Sequence, residues 1–206
     1  QNFTVDVDVT VNGVTCPMQF INAVDPQPSA PIVGTITQPD CTTPTGSVDL
    51  SGLPAAGTWT VTASPGGVTE TNTGTSGTIS GLSANTSYTF TVENSFGCTS
   101  VASTGATIDP QPAVPSAPVI GTITQPDCIT PTGSVDLSGL PAAGTWTVTV
   151  SPGGGTIGGT GTTATFTGLA PNDTYTFTVT DAAGCTSAAS TSAIIDPVPG
   201  APSAPI

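Results

Sequence analysis

Three observations predict an all-β fold made of two-sheet sandwiches in tandem. Residues 29–62 return at 116–149, 87 positions later, with 31 of 34 residues identical. The apolar residues alternate with polar ones in strand-length runs, as they do when one face of a strand is buried. Gly and Pro fall between those runs, so that about seven short strands are separated by turn signals every 8 to 12 residues or so. The same offset relates Tyr88 to Tyr175, Cys98 to Cys185 and Asp109 to Asp196. A fixed period of this size marks tandem units, each with a core of its own.

Residues 1–28 read as part of a domain. Phe3, Val5, Val7, Val9 and Val11 alternate with polar neighbours, Asn12-Gly13 is a two-residue hairpin signal, and Cys16 precedes a second apolar run over 20–24. Asp25-Pro26-Gln27-Pro28 closes the stretch, as Asp-Pro-x-Pro closes each full repeat. It is expected to be the last hairpin of a preceding, divergent domain; the alternative is a strand donated to a neighbouring sandwich.

The first full repeat spans 29–112. Strand A is expected over 33–37 and strand B over 46–50, with Val48 and Leu50 inward. Leu53-Pro54-Ala55-Ala56-Gly57 turns the chain into strand C, 58–63, with Trp59 and Val61 inward. Ser64-Pro65-Gly66-Gly67 turns it again, and the Thr-rich stretch 68–73 suits a sheet edge. Strands E, F and G follow over 77–82, 88–92 and 101–108, with the F–G turn at 94–97. The second repeat, 113–199, follows the same plan, and 200–206 begins another. No helix is required anywhere.

Composition excludes whole classes of function. The chain has no Lys, Arg or His against 13 acidic residues. Nothing in it neutralises phosphates, which excludes nucleic acid, and nothing attracts anionic lipid. Only 6% of residues are charged, against roughly 25% in ordinary globular proteins. Catalysis lacks its usual groups, with no His or Lys base and no cation to hold an oxyanion. The chain is therefore read as no enzyme. Asp49 in Asp49-Leu50-Ser51-Gly52 lies on the outward face of strand B, so it is not half of a carboxylate pair.

The remaining candidates are few. Asp25 and Asp109 mark linkers, while Asp40 and Asp127 lie in the A–B loops, and junction Ca²⁺ needs six to eight oxygens, usually with several carboxylates. Asp-Pro is also an ordinary turn opener, so the bland reading is a cap and no cofactor is expected. Trp59, Trp146, Tyr88 and Tyr175 alternate with outward Thr, which places them in the core rather than on a sugar platform. Asn2, Asn85 and Asn172 match the N-x-S/T glycosylation pattern.

Five cysteines without a single His look like disulfide partners in an oxidising, extracellular compartment. Pairing within each repeat gives Cys41–Cys98 and Cys128–Cys185, both 57 residues apart, and leaves Cys16 for a partner outside the segment. Against it, strands A and F run in opposite directions, which puts the A–B and F–G loops at opposite ends of a sandwich about 35 Å long. Bridged Cα atoms are only about 4.4–6.8 Å apart. The alternative is Cys41–Cys185, which would lock the junction between successive domains.

Leu82-Ser83-Ala84-Asn85-Thr86-Ser87-Tyr88 and Leu169-Ala170-Pro171-Asn172-Asp173-Thr174-Tyr175 resemble the L-x-P-x-T-x-Y run of fibronectin type III domains. That resemblance implies a tyrosine corner, in which the hydroxyl of a Tyr opening strand F caps nearby backbone. Trp59 on strand C departs from fibronectin modules, which usually carry the core Trp on strand B. The series T-Q-P-x-C-x-T-P-T-G-S-V, L-P-A-x-G-T-W-T-V and Y-T-F-T-V-x-x-x-x-G-C-T-S covers the whole repeat and resembles those of giant Bacteroidota surface adhesins, including gliding-motility adhesins of SprB type exported by the type IX system. It implies tandem fibronectin III-like or Ig-like sandwiches in a cell-surface stalk.

On this reading the chain is an excerpt of a longer, exported polypeptide. Pro-rich junctions at 24–31, 109–118 and 196–205 limit bending. Its partners are neighbouring repeats or copies of itself. Two alternatives stand beside the stalk: an adhesin gripping surface glycans through 68–80 and 156–165, and a filament subunit that assembles through residues 1–28.

Overall fold

The computed structural model describes residues 2–11, 14–23 and 27–200, and the side chains of 27–200. The side chains of Asn2 and Cys16, the Asn12-Gly13 hairpin signal, Asp25 and residues 201–206 therefore lie outside the described residues. The described residues contain strands and no helix. Two strands come first, β1 (Asn2–Val11) and β2 (Val14–Ala23), antiparallel with Val11 opposite Val14. The second strand starts well before the 20–24 run and takes in Cys16-Pro17. The chain divides into two compact units, Gln1–Gln111 and Pro112–Ile206.

In the first unit, strands A, B and E are β3 (Ile32–Thr37), β4 (Thr45–Ser51) and β7 (Ser76–Ser83), which form one sheet in the order β3-β4-β7. The other sheet runs β6-β5-β8-β9, where β5 (Thr58–Ser64), β6 (Thr69–Thr73), β8 (Thr86–Asn94) and β9 (Ala106–Ile108) supply the rest. The Thr-rich β6 sits at the sheet edge beside strand C. In constant-type immunoglobulin domains the fourth strand pairs with E instead, so the arrangement is a fibronectin III/Ig-like sandwich with an edge strand on the C side.

The second unit repeats the plan. One sheet is β10-β11-β14, from β10 (Val119–Thr124), β11 (Gly133–Ser138) and β14 (Thr163–Leu169). The other is β13-β12-β15-β16, from β12 (Trp146–Ser151), β13 (Thr156–Gly159), β15 (Asp173–Asp181) and β16 (Ala193–Ile195).

Each unit has its own core. Val48, Leu50, Trp59, Val61, Phe90 and Val92 are buried in the first, and Val135, Leu137, Trp146, Val148, Phe177 and Val179 in the second. The indole N–H of Trp59 donates to the Gly74 carbonyl at 2.6 Å, and that of Trp146 to Gly161 at 2.7 Å, so neither ring nitrogen is left unpaired. The two rings find room differently. A Cβ at Gly77 of strand E would lie 2.5 Å from the Trp59 ring, whereas the close position in the second unit is Gly159 of the edge strand, 2.7 Å from Trp146.

Strand G is shorter than its expected span of 101–108. Regular pairing covers only Ala106–Ile108 and Ala193–Ile195. Upstream, Ser side chains take over the ladder. Ser100 and Ser103 donate their backbone N–H groups to the Val92 and Phe90 carbonyls, each at 2.8 Å. Their hydroxyl oxygens accept from the Val92 and Phe90 N–H groups at 3.0 Å. Ser187 and Ser190 do the same for Val179 and Phe177. A hydroxyl in place of a carbonyl satisfies the buried strand F amides without strand geometry. The spacing Ser100, Ser103, Ala106 carries this three-residue period in the sequence, and a search for period two misses it.

Candidate functional site

The candidate site is the pair of cysteine loops at the two ends of each unit. The A–B loop lies at the end where strand F begins. Gln38 reads this end, donating from Nε2 to the Thr107 carbonyl at 3.2 Å and accepting from the Asp109 N–H at 2.8 Å. Gln111 Nε2 donates to the Asp40 carbonyl at 3.0 Å, so the chain leaves the unit beside Cys41. The second unit repeats this with Gln125, Ile194 and Asp196, while the Cys128 thiol lies 3.7 Å from the Pro199 carbonyl.

The F–G loop lies at the other end, beyond Asn94. Asn94 Oδ1 accepts from Phe96 N–H at 3.1 Å and Cys98 N–H at 2.9 Å, while Gly97 has φ +80°. Asp181 Oδ1 takes the same place in the second unit, accepting from Ala183 and Cys185 N–H groups at 2.9 Å. The chain enters the first unit at this end, where Gln27 Nε2 donates to the Thr99 carbonyl at 2.7 Å.

These positions overturn the within-repeat disulfides. Cys98 and Cys128 carry free thiols, whereas Cys41 and Cys185 are disulfide-bonded. Cys41–Cys98 and Cys128–Cys185 therefore do not form. The reason is the length of strand F. The A–B loop lies at the end where strand F begins at Thr86, and Cys98 follows Asn94 where it ends, so eight strand steps of about 3.3 Å separate the two ends. That distance is several times the reach of a disulfide.

Asp40 and Asp127 act within their own loops. Asp40 Oδ1 accepts from the N–H groups of Thr42 at 2.8 Å and Thr43 at 2.7 Å and from the Thr42 hydroxyl at 2.8 Å. These bonds, the Thr42 amide foremost, lower its pKa from 3.8 to about 2. Asp127 is lowered too, first by the Thr130 amide and then by the Ile129 amide. Among the described residues no three His, Cys, Asp or Glu side chains converge on a metal position.

A carboxyl with a depressed folded pKa stabilises above its unfolded value and loses that contribution as pH falls through the folded one. The thermal midpoint is expected to stay flat from about pH 6 to 8, where no side chain of this sequence ordinarily changes charge apart from free thiols, and to fall below about pH 4. Carboxyl NMR titration checks this. A midpoint for Asp40 at the ordinary 3.8 overturns it.

Asn85 and Asn172 are exposed at the E–F corner with φ of 56° and 61°. Asn is the side chain that best tolerates this left-handed conformation after Gly, which accounts for its place in both repeats. The tyrosine corner implied by the resemblance is present. Ser83 N–H donates to the Tyr88 hydroxyl at 2.9 Å, and the Tyr175 hydroxyl donates to the Ala170 carbonyl at 3.3 Å. Both Trp and both Tyr rings are buried, leaving none of them as a sugar platform. Asp49 and Asp136 face outward in shallow grooves of about 360 and 390 Å³, where each accepts from a Thr hydroxyl, Thr78 at 2.6 Å and Thr165 at 2.7 Å.

No family model matches the chain. It is similar to Chitinase A1 of Niallia circulans, with 36% identity over a 190-position alignment that covers 78% of this chain and 27% of that protein. The chain thus spans about a quarter of the length of this relative. Among solved structures it is similar to the chicken CNTN1 FN1–FN3 domains, with TM-score 0.42 and 12% identity over 93% of this chain and 77% of that one. It is also similar to the human OSCAR ligand-binding domain, with TM-score 0.35 and 13% identity over 82% of this chain and 100% of that one.

Proposed function

We propose that this chain is a structural segment of an extracellular stalk or adhesin, whose work is reach and resistance to tension rather than catalysis. One observation carries the reading: each unit places one cysteine loop where the chain enters and another where it leaves. In this reading Cys41 bonds Cys185, and the same pairing recurs wherever repeats follow one another. Two facts support it: both residues are disulfide-bonded, and Cys98 and Cys128 are free. The partners are neighbouring repeats, and the compartment is oxidising, at or beyond the cell surface. A place among Bacteroidota surface adhesins rests on the motif series of the whole repeat.

Non-reducing peptide mapping tests the reading. The digest needs an acid- or aromatic-directed protease, because the chain has no Lys or Arg. A linked peptide joining Cys41 to Cys185 is expected. A Cys41–Cys98 peptide would refute the junction lock.

A further inference from the structure

Asn85 and Asn172 occupy the same place in the two units, the corner between strands E and F. Both are exposed, and each has a left-handed backbone, with φ of 56° and 61°. Tolerance of that conformation lets Asn stand there, but Gly adopts it at lower cost. Among the described residues every other left-handed φ belongs to a Gly. The two positions that keep Asn are also the two with a hydroxyl two residues on, Ser87 and Thr174, both exposed. Asn72 and Asn94, the other asparagines of 27–200, are followed at that distance by Gly74 and Phe96.

The side chains divide in the same way. Asn72 Oδ1 accepts from Thr73 N–H at 2.8 Å, and Asn94 Oδ1 holds the Phe96 and Cys98 amides of the F–G turn. The Asn85 and Asn172 carboxamides take part in no hydrogen bond among the described residues, so the corner does not use them. It uses their backbone instead. Asn85 N–H donates to the Asp109 carbonyl at 3.2 Å, and Asn172 N–H to the Asp196 carbonyl at 3.4 Å. Each carboxamide is thereby held beside the exposed Asp-Pro that opens a linker.

We propose that Asn85 and Asn172 carry N-linked glycans, one per repeat, that cover the linker where the chain leaves each unit. The inference rests on the reading of the chain as exported, because such transfer takes place on chains leaving the cytoplasm. The donor is a sugar held through C1 on a lipid pyrophosphate. Asn Nδ2 attacks C1, and the C1–N bond forms as the C1–O bond to phosphate breaks. The transferring enzyme takes one Nδ2 proton, and the lipid pyrophosphate leaves with the electron pair. That enzyme also requires the hydroxyl at the second position, here Ser87 or Thr174. A bulky, solubilising group at this spot suits a chain with only 6% charged residues and keeps proteases from an exposed linker.

The test uses the protein as its cells export it, digested with an acid-directed protease and read by fragmentation mass spectrometry. Peptides with a sugar on Asn85 and on Asn172 are expected, while Asn72 and Asn94 are bare. Ser87→Ala removes the sugar from Asn85 and leaves that on Asn172, whereas Ser87→Thr, which keeps a hydroxyl, retains both. Cleavage of the 109–118 linker by a broad-specificity protease then rises several-fold in Ser87→Ala and not in Ser87→Thr. Equal cleavage of the two variants refutes the covering role. Sugar carried on Ser or Thr hydroxyls instead of Asn overturns the proposal. So do bare Asn85 and Asn172 on protein recovered from the cell surface or medium, and the export reading then stands. Protein found only in the cytosol overturns both.

Discussion

Stretched between its ends, the oxidised chain will unravel to a contour length roughly 500 Å shorter than the reduced chain. A bond between Cys41 and Cys185 removes the 144 steps between them from the path of the force, and each step extends by about 3.3–3.6 Å. Tension then passes through one covalent bond instead of through most of both sandwiches. On the proposed reading those sandwiches would stay folded at forces that would otherwise open them. Single-molecule stretching with handles at both termini measures the difference, with the reduced chain as reference. The within-repeat pairing would hide 57 steps in each unit instead, releasing roughly 190 Å per unit on reduction. Equal lengths before and after reduction would rule out both arrangements.

The second large effect concerns the core. Trp59→Ala is expected to destabilise the first unit by about 3–5 kcal/mol and leave the second untouched. Trp59 is 2% exposed, fills the space over Gly77 and donates to Gly74, so its removal leaves both a cavity and an unpaired carbonyl. In a unit of this size that loss lowers the midpoint by roughly 15 °C or more. Calorimetry of the reduced protein should resolve two transitions, one at the parental temperature. Trp59→Phe keeps most of the ring and loses the hydrogen bond, which is worth about 1 kcal/mol. A single transition displaced as a whole would show that the two cores are not independent.

Much of the fold was legible because a half-buried strand writes its burial pattern into alternate residues. Val48 and Leu50, and Trp59 and Val61, face inward as their spacing predicts. The Thr-rich stretch lies at an edge because it has little apolar surface to bury on either face. The tyrosine corner was readable from a seven-residue motif for a related reason, since its partners lie five residues apart along the chain.

What escaped the sequence involved groups distant along the chain or patterned on another period. Strand G was overextended because Ser100 and Ser103 pair with strand F through their hydroxyls at a spacing of three. The Trp rings rest against Gly77 in one repeat and Gly159 in the other, which no local pattern announces.

The sequence by itself determined the tandem architecture, the all-β class, the inward residues and the absence of any cation, because these depend on composition and local period. Tertiary structure decided against the within-repeat pairing, to which the strand directions had already objected. Bridges within one domain are the commoner case, which favoured Cys41–Cys98 and Cys128–Cys185, yet distance along a chain is not distance in space. Strand F carries the chain from one end of the unit to the other, and its length keeps the A–B and F–G cysteines of one sandwich apart.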